Sequence, residues 1–443
     1  MLKIDHKLKP EDLTKKIERL WSASAAKIRS IERTYDATKG SPVFTRNGQY
    51  TTHGWTEWTQ GFQYGSALLQ FDATGDRHFL ELGRRKTVAV MAPHLTHVGV
   101  HDHGFNSVST YGNLLRLMNE GWVAENAWER RFYELALKCS GTVQARRWTK
   151  IYDGGFIYSF NGPHSLFVDT MRSLRALALA HQLGHVLMEE SDRKVSLLER
   201  LVDHARATAS YSVYYGEGRD AYDVRGRVTQ EASFNIIDGS FRCPNSQQGF
   251  SPFTTWTRGL AWAMCGFAEQ LEFLAAIGER KHEQWMLKAA KATCDFYIKN
   301  TPTDGIPYWD TGAPLLARLG DYLDRPAEPF NEFEPVDSSA AAIAAQGLLR
   351  LGHHLGKKGK PYWQAGLTIL NTLFDEPYLC AGARHQGLIL HSVYHRPNGW
   401  DYAPSGRKVP CGESSMWGDY HAREVALYVQ RVAQRRPYLK FYP

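Results

Sequence analysis

The sequence predicts an all-α protein in which helical hairpins form a toroid, with inner helices surrounded by outer ones. Helical hydrophobic periodicity recurs along most of the 443 residues, whereas the alternation of a half-buried strand hardly occurs. Short turns that contain Gly or Asp join consecutive helical segments, as in 73–76 and 276–279. Helix pairs repeated over about 400 residues without a fixed sequence period favour a toroid over a solenoid.

The helices can be assigned in order along the chain. The first, over 12–35, is amphipathic, with Leu13, Ile17, Leu20 and Trp21 on one face. The same periodicity predicts further helices over about 58–71, 77–89, 106–119, 124–139, 168–183, 192–208, 255–277, 282–299, 337–351, 361–373 and 417–432. No segment has the composition of a disordered linker, so the whole chain, 1–443, is interpreted as a single domain.

Long aromatic-rich or glycine-rich loops interrupt this pattern. They are predicted at about 141–165, 209–254, 301–336 and 376–416. Loops of this length in a compact domain are usually functional, so we expect them to lie over a cleft. Within the second loop, 220–245 mixes β-branched residues with turn residues and is predicted to form a small hairpin.

Composition restricts the classes of function. The formal charge of +7 is spread along the chain without a basic run, which argues against nucleic acid as a partner and fits a small anionic substrate. No stretch reaches about 18 apolar residues, so no membrane span is predicted. The first residues are charged at positions where a signal peptide would have an apolar core. We therefore expect a cytoplasmic protein. The six cysteines lack C-x-x-C spacing, which predicts reduced thiols.

Two aspartates are candidates for proton transfer. Asp102 and Asp169 each precede a predicted helix in otherwise apolar or aromatic surroundings. An Asp at this position often caps its helix, so a purely structural role as a helix cap is the alternative for each. In a toroid, however, successive inner helices open onto one cleft, where two carboxylates could act as general acid and base.

A histidine cluster surrounds the first of these acids. His94, His97, His101 and His103 could suggest a metal site, but Pro93 and Gly99 oppose the continuous helix that such spacing requires. The sequence also lacks the H-E-x-x-H motif. Polar cleft lining or packing is the favoured interpretation, and no metal or cofactor is predicted.

Two more segments contain candidate binding residues. Arg258 and Trp262 are four residues apart and would share a helix face, where Arg could bind a carboxylate and Trp could stack on a sugar. An Arg stacked on a Trp at the surface is the alternative. Ser414 and Ser415 lack the G-x-S-x-G context of a nucleophile and are interpreted as hydrogen-bonding or capping residues. Asp337 is predicted to cap the helix that follows it.

Taken in their order along the chain, these segments resemble the motifs of the unsaturated glucuronyl hydrolases, glycoside hydrolase family 88. The matching motifs extend over most of the chain: Gly54-Trp55 through Trp58-Thr-Gln-Gly-Phe62, His101-Asp102-x-Gly-Phe105, Val168-Asp169-x-Met171, Gln248-Gly-Phe250 through Trp256-x-Arg258-Gly-x-Ala-Trp262, Pro307-Tyr-Trp-Asp310, Asp337-Ser-Ser-Ala-Ala341 and Trp417-Gly-Asp-Tyr420. Each motif is weak alone, but seven in order are fairly specific.

The resemblance implies an (α/α)6 barrel, in agreement with the helix count, and a hydrolase that removes a 4,5-unsaturated uronic acid from the non-reducing end of lyase-generated oligosaccharides. Such enzymes hydrate the enol-ether double bond. By this pattern Asp169 protonates C4 and deprotonates the water that attacks C5, while Asp102 binds sugar hydroxyls.

The resemblance also implies roles for seven binding residues. Trp58 and Trp262 would stack on the sugar; His101, Gln248 and Arg258 would position it; and Ser414 or Ser415 would contact its carboxylate. The family usually has a histidine upstream of the glutamine matched by Gln248. Here that position falls at or near Gln230, which is retained as a candidate binding residue although it cannot titrate near neutral pH.

Two alternatives remain open at this stage. An inverting glycosidase acting on a saturated uronide would use Asp102 and Asp169 as base and acid, about 6.5–9.5 Å apart. A non-catalytic glycan-binding barrel would keep Trp58, Trp262 and Arg258 but tolerate the loss of either aspartate. The related family 105 rhamnogalacturonyl hydrolases generally lack the first aspartate in this context, so His101-Asp102 favours family 88.

Overall fold

A computed structural model describes residues 1–54 and 57–442. Its helices are α1 (Thr14–Thr34), α2 (Gln60–Thr74), α3 (Arg77–Val90), α4 (Ala92–Leu95), α5 (His103–Ser107), α6 (Asn113–Asn119), α7 (Ala127–Arg146), α8 (Thr170–Ser173), α9 (Arg175–Gln182), α10 (Leu197–Tyr211), α11 (Thr257–Ala276), α12 (Glu283–Lys299), α13 (Ser338–Leu355), α14 (Lys360–Leu373) and α15 (Met416–Ala433). A π-helical turn, Val108–Gly112, joins α5 to α6. No helix in the described part of the chain is long and apolar enough to cross a bilayer.

The helices form a closed double ring. The inner ring consists of α2, α5–α6, α8–α9, α11, α13 and α15; each of these packs against the next, and α15 packs against α2 to close the ring. The helices α1, α3, α7, α10, α12 and α14 alternate with them along the chain and lie outside. Inner helices such as α11 and α13 are buried on nearly all sides, whereas outer helices such as α1 and α3 bury one stripe. The all-α (α/α)6 barrel is thus confirmed.

The barrel interior contains paired charges as well as apolar side chains. Arg172 in α8 forms ion pairs with Glu269 and, at 2.7 Å, with Glu424. Arg350 lies 2.5 Å from Glu272 in the same interior. Such groups persist in a low-dielectric interior only when they are paired, so this network connects α8 with α11 and α15 in a fixed register.

Short strands occur only in the connections. They are β1 (Phe44–Arg46), β2 (Gln49–Thr51), β3 (Trp148–Lys150), β4 (Gly155–Ile157), β5 (Ser165–Phe167), β6 (Leu187–Met188), β7 (Lys194–Val195), β8 (Glu231–Phe234) and β9 (Phe241–Asn245). In the three-stranded sheet β5-β8-β9, both pairs are antiparallel, with Phe167 opposite Glu231. This sheet matters for function because the chain passes directly from β5 to Asp169.

Most of the predicted helices are confirmed, and their differences from the structure are local. The helix predicted over 124–139 continues to Arg146, so the loop expected from 141 begins later. The helix predicted from 192 begins at Leu197. The hairpin expected within 220–245 is confirmed only for β8 and β9.

Candidate active site

The N-termini of the inner helices meet at one mouth of the barrel. Asp102, Asp169, Trp256 and Ser415 are the residues directly before α5, α8, α11 and α15, and Trp58 lies just before α2. Helix N-termini carry partial positive charge and unpaired N–H groups. Their convergence therefore creates an end of the barrel that favours an anionic ligand.

Neither aspartate acts as a helix cap. The side chains of Asp102 and Asp169 accept no capping hydrogen bond from the helices that they precede. By contrast, Asp337 accepts hydrogen bonds from the amides of Ser339 and Ala340 and caps α13, as predicted. The structural alternative for the two acids is therefore wrong, and their carboxylates face other partners.

A glycine brings these two acids together. A Cβ atom at Gly104 would collide with the main chain of Ser173, so only glycine allows α5 to pack this closely on α8. The amide of Gly104 donates to Oγ of Ser173 at 2.9 Å, and that hydroxyl donates to the carbonyl of His101 at 2.7 Å. Gln144 near the end of α7 donates to the same carbonyl at 2.8 Å. The segment that contains His101 and Asp102 is consequently fixed against α8.

His101 links the two carboxylates. Its Nε2 lies 3.1 Å from Oδ1 of Asp169 and 3.7 Å from Oδ1 of Asp102. Burial alone would lower the pKa of His101, but the neighbouring Asp102 and Asp169 carboxylates raise it above its usual value. Burial raises the pKa of Asp102 to about 6, and Asp169 adds to that rise. The site thus holds a histidine and an aspartate whose pKa values are both raised by their surroundings, next to a second carboxylate.

Two other histidines of the cluster have structural partners. His94 is hydrogen bonded to Asn106 at 3.1 Å, and His103 contacts Ser140 at 2.9 Å. Burial lowers the pKa of each of these two imidazoles to about 4. No group of three His, Cys, Asp or Glu side chains suited to a metal ion occurs in residues 1–54 and 57–442.

A cleft of about 580 Å³ opens above the acids. Its lining includes seven of the ten predicted site residues: Trp58, His101, Asp102, Asp169, Gln248, Arg258 and Trp262. Other lining residues come from the long loops and from the segments beside the acids; these are Glu57, His97, Gly99, Val100, Phe105, Phe160, Asn161, Gln247, Trp256, Tyr394, His395, Asn398 and Trp400. Three of the four predicted long-loop regions thus contribute to the cleft. The motif residue Trp55 lies outside the described residues.

The two predicted stacking tryptophans belong to one aromatic cluster. Trp58 stacks on Trp417 with ring centres 5.1 Å apart, and Trp262 packs against Phe105 at 4.9 Å and edge-on to His421. These contacts fix both rings while each still lines the cleft.

Arg258 has a different environment from the one predicted. Its guanidinium lies over the rings of Trp256 and Trp417 rather than that of Trp262. Nη1 donates to Asp337 and to the carbonyl of Val393, while Nη2 donates to Gln248 at 3.0 Å and to the carbonyl of Tyr394 at 2.7 Å. Arg258 therefore supplies a fixed positive charge below the cleft and uses most of its donors to hold the surrounding loops.

Gln230 is buried and is not among the described lining residues of the cleft. Its Oε1 accepts the amides of Gln247 and, at 3.0 Å, Gln248, while its carbonyl accepts the amide of Val168 at 3.0 Å. Gln230 thus connects the residue before Asp169 to the loop that presents Gln248, a position behind the site rather than in it.

Ser414 and Ser415 also lie behind the site. The hydroxyl of Ser414 donates to Asp419 at 2.7 Å, and that of Ser415 accepts the amide of Gly418 and donates to Ser392. Neither serine lines the described cleft. The expected contact with a substrate carboxylate is not supported by these positions, whereas the alternative interpretation as capping or hydrogen-bonding residues fits them.

Sequence reasoning missed the rim of the cleft. Phe160, Asn161, His395, Asn398 and Trp400 lie in loops without a recognisable motif. The only signal was the aromatic composition of those loops. A larger cavity of about 700 Å³ lies at the opposite end of the barrel, between the C-terminal segment and the ends of α6 and α9, and contains no paired acids comparable to the two aspartates.

The amino-acid sequence of this chain is similar to those of several known proteins. No protein-family model matches the chain. An unsaturated glucuronyl hydrolase of Formosa agariphila is 25% identical over 372 residues, covering 83% of this chain and 79% of the relative. One from Bacillus sp. strain GL1 is 26% identical over 400 residues, covering 87% and 89%. The chain is a relative of the unsaturated glucuronyl hydrolases. It is an enzyme of the glycoside hydrolase type, as the motifs implied.

Solved structures of this family share the fold. The crystal structure of the Bacillus sp. GL1 unsaturated glucuronyl hydrolase superimposes with a TM-score of 0.73 at 22% identity, over 94% of this chain and 97% of that one. Another structure, described with dGlcA-Glc-Rha-Glc, has a TM-score of 0.72 at 22% identity, covering 95% and 97%. A Streptococcus agalactiae variant complexed with dGlcA-GalNAc6S has a TM-score of 0.66 at 18% identity, covering 95% and 92%. Identities this low establish the barrel and leave the cleft of each protein to be interpreted separately.

Proposed function

We propose that this protein removes a 4,5-unsaturated uronic acid from the non-reducing end of lyase-generated oligosaccharides by hydrating the enol-ether double bond. The contact of one imidazole, His101, with the carboxylates of both Asp102 and Asp169 is the observation that carries the proposal. Hydration requires a proton to be delivered to carbon and another to be taken from water, and this group of three can do both.

Asp169 is the general acid and base in this scheme. Its proton goes to C4 of the uronate, and its carboxylate then takes a proton from the water that attacks C5. The product is a hemiketal at C5. Its collapse breaks the bond between C5 and the ring oxygen, and the open chain releases the leaving sugar from C1 and becomes a keto acid. One water is consumed, and Asp169 regains its proton.

Asp102 and His101 prepare the site for this step. As a carboxylate, Asp102 accepts hydrogen bonds from sugar hydroxyls, and His101 fixes the orientation of Asp169. The positive charge of the imidazole offsets the repulsion between two buried carboxylates. This arrangement keeps a protonated and an ionised group side by side, as catalysis by proton transfer requires.

The remaining lining residues hold the sugar. Trp58 and Trp262 present ring surfaces to it, and Gln248 is oriented by its bond to Arg258. The guanidinium of Arg258 and the N-termini of the inner helices attract the uronate carboxylate through their charge. No role is proposed for Ser414 or Ser415 beyond the support of α15 and its neighbouring loop.

The decisive experiment uses unsaturated disaccharides produced by polysaccharide lyases. We expect the ultraviolet absorbance of the conjugated double bond to disappear upon incubation with the protein. A persistent absorbance with every such disaccharide, together with release of p-nitrophenol from a saturated glucuronide, would identify an ordinary inverting glycosidase instead. Binding without either reaction would indicate a non-catalytic glycan-binding barrel.

A further inference from the structure

The charges that line the cleft are unevenly distributed. Among its described lining residues, the carboxylates of Glu57, Asp102 and Asp169 face one guanidinium, that of Arg258, and the imidazole between the acids, His101. A uronate brings one negative charge, which Arg258 and the helix N-termini can offset. A second anionic group on the substrate would meet the carboxylate of Glu57 in addition to the two acids of the proton-transfer site, whereas Arg258 is the only arginine or lysine among the described lining residues.

Arg258 has little capacity left for a second anion. Both of its Nη atoms already donate to two protein oxygens each, including an ion pair with Asp337 at 3.2 Å. A sulfate is usually bound by a fork of free N–H donors or by a lysine. Arg258 would have to abandon its bonds to the surrounding loops in order to provide such a fork.

Glu57 is fixed as part of the cleft wall. The hydroxyl and the amide of Ser41 donate to its two carboxylate oxygens, and its carbonyl accepts a hydrogen bond from Asn106 at 3.3 Å. The carboxylate therefore cannot swing away easily when a ligand enters. An anionic substituent that comes near it would lose free energy to like-charge repulsion.

The rim of the cleft is aromatic and uncharged. The ring of Phe160, which is 40% exposed, lies parallel to that of His101 at 6.0 Å. Trp400, a second aromatic residue of the lining, packs on His395 with ring centres 4.7 Å apart. Burial lowers the pKa of His395 to about 4, so its imidazole is neutral at physiological pH. Rings of this kind suit the C–H faces of a pyranose.

We propose that the sugar next to the unsaturated uronate is neutral and unsulfated, that it lies between Phe160 and Trp400, and that Glu57 excludes a sulfate. This inference rests on the proposed function. Solved relatives are described with both kinds of ligand, dGlcA-Glc-Rha-Glc and dGlcA-GalNAc6S, so the barrel alone does not decide between them. The cleft of this chain favours a ligand in which the sugar next to the uronate is neutral.

The test compares two unsaturated disaccharides that differ only in a 6-sulfate on the leaving sugar. We expect kcat/KM for the unsulfated compound to be at least about tenfold higher. Equal or faster turnover of the sulfated compound would overturn the inference. If neither compound loses its double bond, the proposed function itself fails, so the two failures are distinguishable.

Two variants test the residues in opposite directions. Glu57→Gln keeps the hydrogen-bond acceptor and removes the charge. The ratio of kcat/KM for the unsulfated compound to that for the sulfated one should therefore fall severalfold. The exposed control Glu81→Gln should leave this ratio unchanged. Asn398→Lys adds a cation at the exposed rim and should raise kcat/KM for the sulfated compound relative to that for the unsulfated one. An unchanged ratio in both Glu57→Gln and Asn398→Lys would refute the assigned subsite, even if one of the two variants folds poorly.

Discussion

Nε2 of His101 lies 3.1 Å from Oδ1 of Asp169, and this contact orients the carboxylate toward the cleft rather than toward the helix that follows it. The first prediction concerns that carboxylate. Asp169→Asn preserves its size and one oxygen but cannot exchange a proton, so kcat should fall at least about a thousandfold while the substrate still binds. Loss of double-bond absorbance measures turnover, and calorimetry measures binding. Appreciable turnover by Asp169→Asn would rule out the assignment of the acid.

The second prediction exploits the cost of burying Asp102. Burial raises its pKa from 3.8 to about 6. Above pH 6 the carboxyl is ionised in both states, but its ionisation costs more free energy in the folded protein than in the unfolded chain. Since each pKa unit is worth about 1.4 kcal/mol, Asp102→Asn should raise the free energy of unfolding by about 3 kcal/mol at pH 8. The gain should shrink between pH 6 and pH 4 and vanish below pH 4, where the carboxyl is protonated in both states.

Urea unfolding at pH 4 and pH 8 measures this difference, and the exposed Asp321→Asn serves as control. The same Asp102→Asn variant should lose activity, because it lacks the carboxylate that accepts hydrogen bonds from the sugar hydroxyls. A variant that is less stable than the wild type at pH 8 would show that the ionised carboxylate stabilises the fold.

The third prediction concerns the charge of His101. His101→Phe keeps the ring between Phe160 and Phe167 but removes the hydrogen bond and the positive charge. Because the imidazolium lowers the pKa of Asp102, its loss should shift the acidic limb of the profile of kcat/KM against pH upward from about 6. We also expect kcat to fall about a hundredfold.

A matched variant separates this effect from a general disturbance. His97 lines the cleft without an ion pair to either aspartate, so His97→Asn should keep the acidic limb where it is in the wild type. An acidic limb that stays at the same pH in His101→Phe would show that the imidazole does not control the pair.

Helix positions could be predicted from the sequence where the burial pattern is periodic and long. The helices predicted over 255–277 and 282–299 agree with α11 and α12 to within two residues at each end. Strands such as β6, with two residues, offer too few alternating positions for any pattern to appear. α7 continues beyond its predicted end at 139 because tertiary contacts stabilise its last turns: Gly141 packs closely on Ala176 and Ala180 of α9, and Gln144 donates to the carbonyl of His101.

The site could be predicted only in part, for the same physical reason. Motif spacing identified Asp102 and Asp169, since each directly precedes an inner helix. Whether a side chain lines the cleft or points away from it depends on its tertiary contacts, which the sequence does not show. Ser414 faces Asp419, five residues away, and no feature of the sequence distinguishes this from a position in the cleft.

The last prediction concerns Gln230, which holds the loop of Gln248 from behind. Gln230→Met matches the shape of the side chain but leaves the partly buried amides of Gln247 and Gln248 without their acceptor, a loss of at most about 1–3 kcal/mol for each. The loop should loosen, so KM should rise about tenfold while kcat changes less than threefold. Gln230→Glu retains an acceptor and should restore part of the affinity. Wild-type KM in Gln230→Met would show that the loop is held by other contacts, and a selective loss of kcat would place Gln230 in the proton-transfer step instead.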